Sequence, residues 1–210
     1  MKFSRSSLHA VWLAAALAFG PVSPEALAAA APEGARREGA ERYRKAVPNE
    51  SIQAGCARIG VGASVDTVRA VVNDFDHYAS FMKRYKNGKL QMQITAKVVG
   101  RSGEKRDVYI QVPILKGTAK VWGVLRFEPM KTVGGEEVLE GRLVKGNVER
   151  LDARWRIRKI DDTRTTLNLE LLIVPKVLVP HGLVTDELEF VSDVSVSGAR
   201  DEAERKKSGN

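Results

Sequence analysis

The chain has 210 residues, which allows one folded domain together with a targeting segment. Its 43% hydrophobic and 29% charged residues are typical of a globular protein. The formal net charge of +8 favours acidic partners. Outside the cytoplasm, the expected acidic partner is an anionic lipid surface, and nucleic acid is not expected. A basic protein without such a partner is the alternative. The single cysteine, Cys56, excludes an internal disulfide and gives no basis for thiol redox chemistry.

Residues 1–30 have the three parts of a secretion signal. Lys2 and Arg5 form the positive region, residues 8–19 form an apolar core too short to span a bilayer comfortably, and Ala26-Leu27-Ala28 fits a cleavage motif. An uncleaved membrane anchor is the alternative. We therefore predict a periplasmic or secreted protein with a solvated spacer over 31–49 and a folded domain over 50–207.

The order of predicted elements begins with a strand over 51–61 and a helix over 65–73 that Ser64 caps. A second short helix is predicted over 76–85, and Asn87-Gly88 is a turn signal. Six further strands are predicted over 89–99, 105–114, 119–129, 136–145, 147–160 and 163–174. Strict alternation of apolar and polar residues indicates an antiparallel sheet with one covered and one wet face.

The last predicted element is a helix of about 20 residues that begins after Pro180. Val184, Leu188 and Val191 follow a helical spacing and form an apolar stripe, whereas Glu189 is predicted to face solvent. The fold class expected from this order is α+β, with about seven antiparallel strands curved around a long C-terminal helix and two short helices after the first strand.

Three segments resemble the START-like polyketide cyclase/dehydrase and coenzyme-Q-binding families. Residues 65–82 (VDTVRAVVNDFDHYASFM) carry a pattern of the type V…V..D…Y..F, and residues 141–157 (GRLVKGNVERLDARWRI) carry a Gly-Asn step before a strand with a Trp. Residues 171–183 (LLIVPKVLVPHGL) resemble the proline-containing approach to the last helix. The resemblance spans about 51–206 and implies the helix-grip fold. The chain departs from the family pattern at Ala79 and Lys83, where prolines are expected.

The resemblance implies a hydrophobic cavity between sheet and helix that binds or carries a lipid, an isoprenoid or a polyketide-like molecule. We expect the ligand to contact the covered face of the sheet and the last helix, through Met92, Ile94, Val108, Ile110, Leu125, Leu139, Trp155, Leu169 and Leu188. No catalytic residue, cofactor or metal is predicted, and a monomer is expected. Two alternatives stay open: an enzyme of the cyclase or dehydratase type with Tyr109 or His181 as proton donor, and a protein-interaction module whose cavity is closed.

A row of arginines lies on the wet side of the strand over 147–160, namely Arg150, Arg154, Arg156 and Arg158. Its simplest interpretation is a solvated convex face. The alternative is docking on an anionic membrane, where each basic residue contributes about 1 kcal/mol.

Overall fold

The structure is a computed structural model that describes residues 39–114 and 119–209. The predicted signal peptide and the first part of the predicted spacer lie outside the described residues. The described residues contain three α-helices, α1 (Val65–Val72), α2 (Tyr78–Phe81) and α3 (His181–Ser208), and a 3₁₀ turn over Phe75–His77 precedes α2. No helix in the described ranges has the length and hydropathy needed to cross a membrane.

Eleven strands form within the described residues: β1 (Glu41–Lys45), β2 (Ala54–Val61), β3 (Lys83–Lys86), β4 (Lys89–Gln93), β5 (Thr95–Ser102), β6 (Lys105–Ile114), β7 (Ala119–Phe127), β8 (Lys131–Val133), β9 (Glu136–Gly146), β10 (Val148–Lys159) and β11 (Thr165–Pro175). Nine of them make one antiparallel sheet in the order β1-β2-β11-β10-β9-β7-β6-β5, with β8 added to β9. Strands β3 and β4 form a separate hairpin. α3 packs mainly against β2 and β11. The predicted α+β class with a long C-terminal helix on an antiparallel sheet is confirmed.

The first helix begins where the sequence predicts. The Ser64 hydroxyl accepts a hydrogen bond of 3.3 Å from the main-chain N–H of Thr67, which satisfies one free donor of the first turn. At the other end, the Asn73 side-chain amide donates to the carbonyl oxygen of Arg69 at 2.9 Å. Val68 and Val71 are fully buried, so one side of α1 belongs to the core.

The second predicted helix, over 76–85, is wrong in its second half. Helix α2 ends at Phe81, and Lys83–Lys86 form a strand that pairs with Lys89–Gln93. Asn87 and Gly88 both have positive φ, 51° and 73°, as the tight turn of a two-residue hairpin requires. The turn signal therefore outweighs the helical spacing, and the predicted strand over 89–99 divides into β4 and β5.

The predicted boundary of the folded domain, at residue 50, lies too far along the chain. β1 occupies Glu41–Lys45, within the segment predicted as a solvated spacer, and pairs along its whole length with β2. The segment has few large apolar residues, and hydropathy does not reveal the ion pairs that Arg42, Arg44 and Lys45 make with α3 and β11. With β1 and β8 included, the sheet has nine strands instead of about seven.

Candidate ligand-binding site

The nine residues predicted to contact a ligand are part of one continuous core. Trp155 on β10 has Leu139 on β9 and Leu169 on β11 as its direct cross-strand neighbours, so the three side chains form a row on the inner face of the sheet. On the same face, Val108 on β6 pairs with Leu125 on β7. The core also includes Met92, Ile94 and Leu188, and Ile110 is half-buried against it. Their contact with a ligand stays a prediction.

An aromatic cluster lies beside this row and was not predicted as part of the site. The Phe75 ring lies 4.7 Å from the Phe127 ring and 5.4 Å from the Tyr78 ring, measured between centroids. The Tyr78 hydroxyl donates a hydrogen bond to the carbonyl oxygen of Val72. The signal for this cluster was available, because Tyr78 is the tyrosine of the pattern over 65–82.

Burial is the main reason why the pKa of Tyr78 is raised well above its ordinary value. The charge of Asp74 adds to this increase, and the neighbouring Trp155 side chain opposes it. The phenol therefore stays neutral, with its proton directed at a main-chain oxygen. It is a polar group that can orient a ligand beside Trp155 without ionising.

The two residues considered as proton donors lie away from the inner face. Tyr109 points to the same side of β6 as Asp107, and Asp107 pairs with Arg126 at the surface. The Tyr109 hydroxyl donates a hydrogen bond of 3.0 Å to the side-chain oxygen of Gln111. His181 is exposed at the start of α3, where its Nε2 lies 3.3 Å from the Ser51 hydroxyl oxygen. The geometry therefore does not bring either residue to the predicted ligand face.

Helix α3 is clamped over the inner face by ion pairs. The buried carboxylate of Asp193 pairs with Arg42 from β1 and with Arg84 from β3, the latter at 3.2 Å. Arg42 and Arg84 also lie over the Phe190 ring, 5.5 and 5.9 Å from its centroid. Two strands outside the predicted core elements therefore hold the middle of the helix.

A second group of ion pairs joins β1 to the first half of α3. Arg44 pairs with both Glu189 and Asp186. The Glu189 side chain is consequently only 17% exposed, and the prediction that it faces solvent is wrong. Sequence analysis missed these contacts because Arg42 and Arg44 fall in the segment predicted as a spacer.

The predicted arginine row lies on the outer face, opposite the inner one, and three of its members are paired with carboxylates. Arg150 contacts Glu50 at 2.8 Å and Asp152 at 2.7 Å. Arg154 and Arg156 pair with glutamates of β9 and β11, namely Glu136, Glu140 and Glu170. Arg158 is exposed and makes no side-chain contact of this kind within the described residues. The row is therefore largely neutralised.

The carboxylate of Glu140 shows how strongly these charges compensate one another. Burial alone would raise its pKa, but hydrogen bonds and positive charge from Lys131 and Arg154 outweigh that effect, and the pKa is lowered. Beside it, an open cleft of about 470 Å³ lies on the outer face, lined by both charge signs. The cleft is lined by apolar as well as charged residues and is separate from the predicted ligand face.

Cys56 also lies on the outer side of the sheet, where Tyr43 is its cross-strand neighbour. Burial raises the pKa of its thiol to about 11, so the thiol stays protonated and unreactive. Across residues 39–114 and 119–209, no three His, Cys, Asp or Glu side chains are grouped as a metal site would require.

Comparisons with known proteins agree with this architecture. Residues 61–186 match the model of a family described as polyketide cyclase/dehydrase and lipid transport. No curated protein matches the chain.

Several solved structures have the same fold. A STAR-related lipid transfer protein from Xanthomonas axonopodis (fragment 25–204) is 13% identical, with a TM-score of 0.64 over 81% of this chain and 96% of that one. Human STARD10 is 10% identical, with a TM-score of 0.61 over 83% and 73% of the two chains. The Zhui aromatase/cyclase from Streptomyces sp. R1128 is 17% identical, with a TM-score of 0.57 over 72% and 93%. At these identities the likeness establishes the fold alone.

Proposed function

Because the chain belongs to the polyketide cyclase/dehydrase and lipid transport family, we propose that it binds and carries a hydrophobic small molecule without converting it. The observation that carries the proposal is the apolar inner face centred on Trp155, Leu139 and Leu169, with α3 packed over the same core. Ligand sites of this kind are mostly apolar with a few orienting polar groups. Tyr78 supplies one such group beside Trp155.

The proposed ligand class is a lipid, an isoprenoid or a polyketide-like molecule. Such molecules are poorly soluble because water disfavours exposed apolar surface, so a carrier that shields them is needed to cross an aqueous space. The signal-like segment over 1–30 supports the periplasm, or the outside of the cell, as that space.

Catalysis receives less support than carriage. Of the two candidate proton donors, Tyr109 is directed to the outer face and His181 is exposed at the start of α3. The Tyr78 hydroxyl already donates to a carbonyl oxygen. A cyclase or dehydratase needs a proton donor within reach of its substrate.

Membrane docking through Arg150, Arg154, Arg156 and Arg158 stays a prediction. The carboxylates paired with the first three reduce the attraction that this row can exert on an anionic surface. The expected monomeric state is likewise a prediction.

Native mass spectrometry of the protein purified from its own host tests the proposal directly. We expect one retained apolar mass, unchanged in structure after incubation. A closed protein-interaction module would retain no mass, and conversion of the retained molecule would indicate an enzyme.

A pair of variants on β6 links the retained mass to the inner face. Ile110→Trp adds a ring on the inner face, at a half-buried position, and should reduce the retained mass at least tenfold. Gln111→Trp adds the same ring on the opposite side of the same strand and should leave retention unchanged. Thermal melting of both variants establishes that each is folded. Equal retention by folded Ile110→Trp would contradict binding at this face.

A further inference from the structure

The outer face of β5, β6, β7 and β9 carries a second arrangement of side chains, away from the arginine row. Lys97, Tyr109, Val124 and Lys145 are successive cross-strand partners and form one row across the four strands. Trp122 and Lys120 point to the same side, because side chains two residues apart share a face. We name this surface the basic–aromatic patch; it consists of Lys97, Tyr109, Lys120, Trp122 and Lys145.

The aromatic pair at the centre of the patch is partly exposed. The Tyr109 and Trp122 rings stack with their centroids 6.2 Å apart and an angle of 27° between their planes. The Trp122 residue is 37% exposed, whereas Val124, the cross-strand partner of Tyr109 in the same row, is 7% exposed. A partly exposed indole at the surface is an amphipathic group available to a partner.

Asn147, in the turn between β9 and β10, holds Trp122 in place. The side-chain oxygen of Asn147 accepts a hydrogen bond of 2.9 Å from the main-chain N–H of Trp122. The main-chain N–H of Asn147 donates to the main-chain carbonyl oxygen of Trp122 at 3.1 Å. The side-chain amide of Asn147 also donates to the carbonyl oxygen of Lys120 at 2.8 Å. The backbone that presents the patch is therefore ordered before any partner binds, which lowers the entropy cost of association.

The positive charges of the patch are not neutralised. Lys97, Lys120 and Lys145 are exposed, and none of their ammonium groups has an ion pair or hydrogen bond to the part of the chain that the structure describes. Asp107, the acidic residue on the same side of β6, is committed to Arg126 through two contacts of 2.8 Å. This distinguishes the patch from the arginine row, where carboxylates pair with three of four cations.

We propose that the basic–aromatic patch docks the protein on an anionic lipid bilayer. Tryptophan and tyrosine favour the interface between lipid headgroups and water, where an apolar ring and a polar edge are both satisfied. Each lysine near an anionic surface strengthens binding about fivefold. Because three strand spacings of about 4.8 Å separate Lys97 from Lys145, both ends of the row can reach one surface together. Single-stranded nucleic acid is less favoured, because sites for single strands stack successive bases on separate aromatic side chains, whereas the two rings of the patch stack on each other.

Co-sedimentation of the mature protein, purified after removal of the predicted signal over 1–30, with vesicles tests the proposal. We expect binding to vesicles of phosphatidylcholine with 30 mol% phosphatidylglycerol, and little binding to phosphatidylcholine alone. Substituting Lys97, Lys120 and Lys145 together by alanine should weaken binding about 100-fold. A matched control removes three exposed cations elsewhere, at Lys86, Arg101 and Arg158, which have no ion pair within residues 39–114 and 119–209, and should weaken binding less than tenfold.

Fluorescence separates a specific docking face from diffuse attraction. We expect a blue shift of tryptophan emission when the mature protein binds anionic vesicles, and the loss of that shift in Trp122→Phe, because Trp155 is only 3% exposed and Trp12 is removed with the predicted signal. Thermal melting establishes that the variants are folded. The proposal is overturned if the control triple variant weakens binding as much as the patch variant, if anionic vesicles are not bound, or if the shift persists in Trp122→Phe. Binding of single-stranded RNA that depends on the patch, without binding to vesicles, would replace the membrane by nucleic acid.

Discussion

The hydroxyl of Ser192 donates a hydrogen bond of 3.0 Å to the main-chain carbonyl oxygen of Gly55, at the point where α3 crosses β2. Both residues are buried. The contact is possible because Gly55 has no side chain: a Cβ atom built on it would lie 2.3 Å from the main-chain nitrogen of Glu189. Helix and strand therefore meet backbone to backbone at this crossing.

Replacing Gly55 by alanine should lower the free energy of unfolding by about 3 kcal/mol or more, because the clashing atoms belong to the helix backbone and cannot rotate away. The control is Gly60→Ala on the same strand, where a Cβ would meet nothing within 4 Å. That change should alter the free energy of unfolding by less than about 0.5 kcal/mol. Urea denaturation of both variants measures the difference, and equal stabilities would show that α3 does not pack on β2 as described.

The ion pairs of Asp193 with Arg42 and Arg84 predict that the effects of substitutions at these three residues on the free energy of unfolding are not additive. Substituting Arg42 and Arg84 together by alanine leaves a buried carboxylate without a cation and should destabilise the protein by about 3 kcal/mol. Adding Asp193→Asn to this double variant should restore most of the loss, because no uncompensated charge remains. Chemical denaturation of the double and triple variants gives the comparison. A triple variant less stable than the double would indicate that the ion pairs are not the reason for the loss.

Leu188, at 1% exposure, tests whether the apolar stripe of α3 faces the core. Leu188→Asp should destabilise the domain by several kcal/mol, because a carboxylate would be buried without a partner. Glu187→Lys, one residue earlier and half-buried, is the matched control and should cost less than about 1 kcal/mol. Similar melting temperatures for the two variants would contradict the packing of the helix.

The pair of Asp74 and His77 predicts a pH dependence at the end of α1. The imidazole Nδ1–H of His77 donates a hydrogen bond of 2.6 Å to the Asp74 carboxylate, and this bond, together with the carboxylate charge, raises the pKa of His77 above its ordinary value of 6.5. Burial alone would raise the pKa of Asp74, but His77 and Lys206 outweigh it and the pKa falls below 3.8.

Each of these pKa shifts stabilises the folded state over only part of the pH range. The contribution of His77 is complete below pH 6.5 and is lost as the pH rises through its raised pKa. The contribution of Asp74 is complete above pH 3.8 and is lost as the pH falls through its lowered pKa. The pair therefore stabilises the fold most between these limits. NMR titration should show the pKa of His77 returning towards 6.5 in Asp74→Asn, and an unchanged value would contradict the pairing.

If the predicted signal peptide is cleaved during secretion, the mature protein begins within a narrow range of residues. Cleavage of the signal should leave an N-terminus between Ala29 and Pro32, which intact mass analysis of protein from the native host measures. Intact Met1 on the soluble protein would refute both the signal and the proposed compartment.

Sequence alone determined the type and order of most elements, because apolar spacing is a local property of the chain. Alternation over 147–160 predicted β10 with Trp155 inward, and the helical stripe at Leu188 predicted the buried side of α3. Local capping chemistry likewise predicted the start of α1 at Ser64. These residues each report on their own strand or helix, and no knowledge of distant partners is needed.

Tertiary structure decided what depends on residues far apart in the chain. β1 forms because Arg42 and Arg44 meet acidic residues of α3 about 145 positions later, a contact that leaves no periodic signal in a short, polar segment. Pairing across strands also decided which cations are neutralised: Arg154 meets Glu140, whereas Lys97 and Lys145 meet no carboxylate among the described residues. Charge balance at a surface is a property of neighbours in space, so composition predicted a basic protein, but only the fold shows where its positive charge is unpaired.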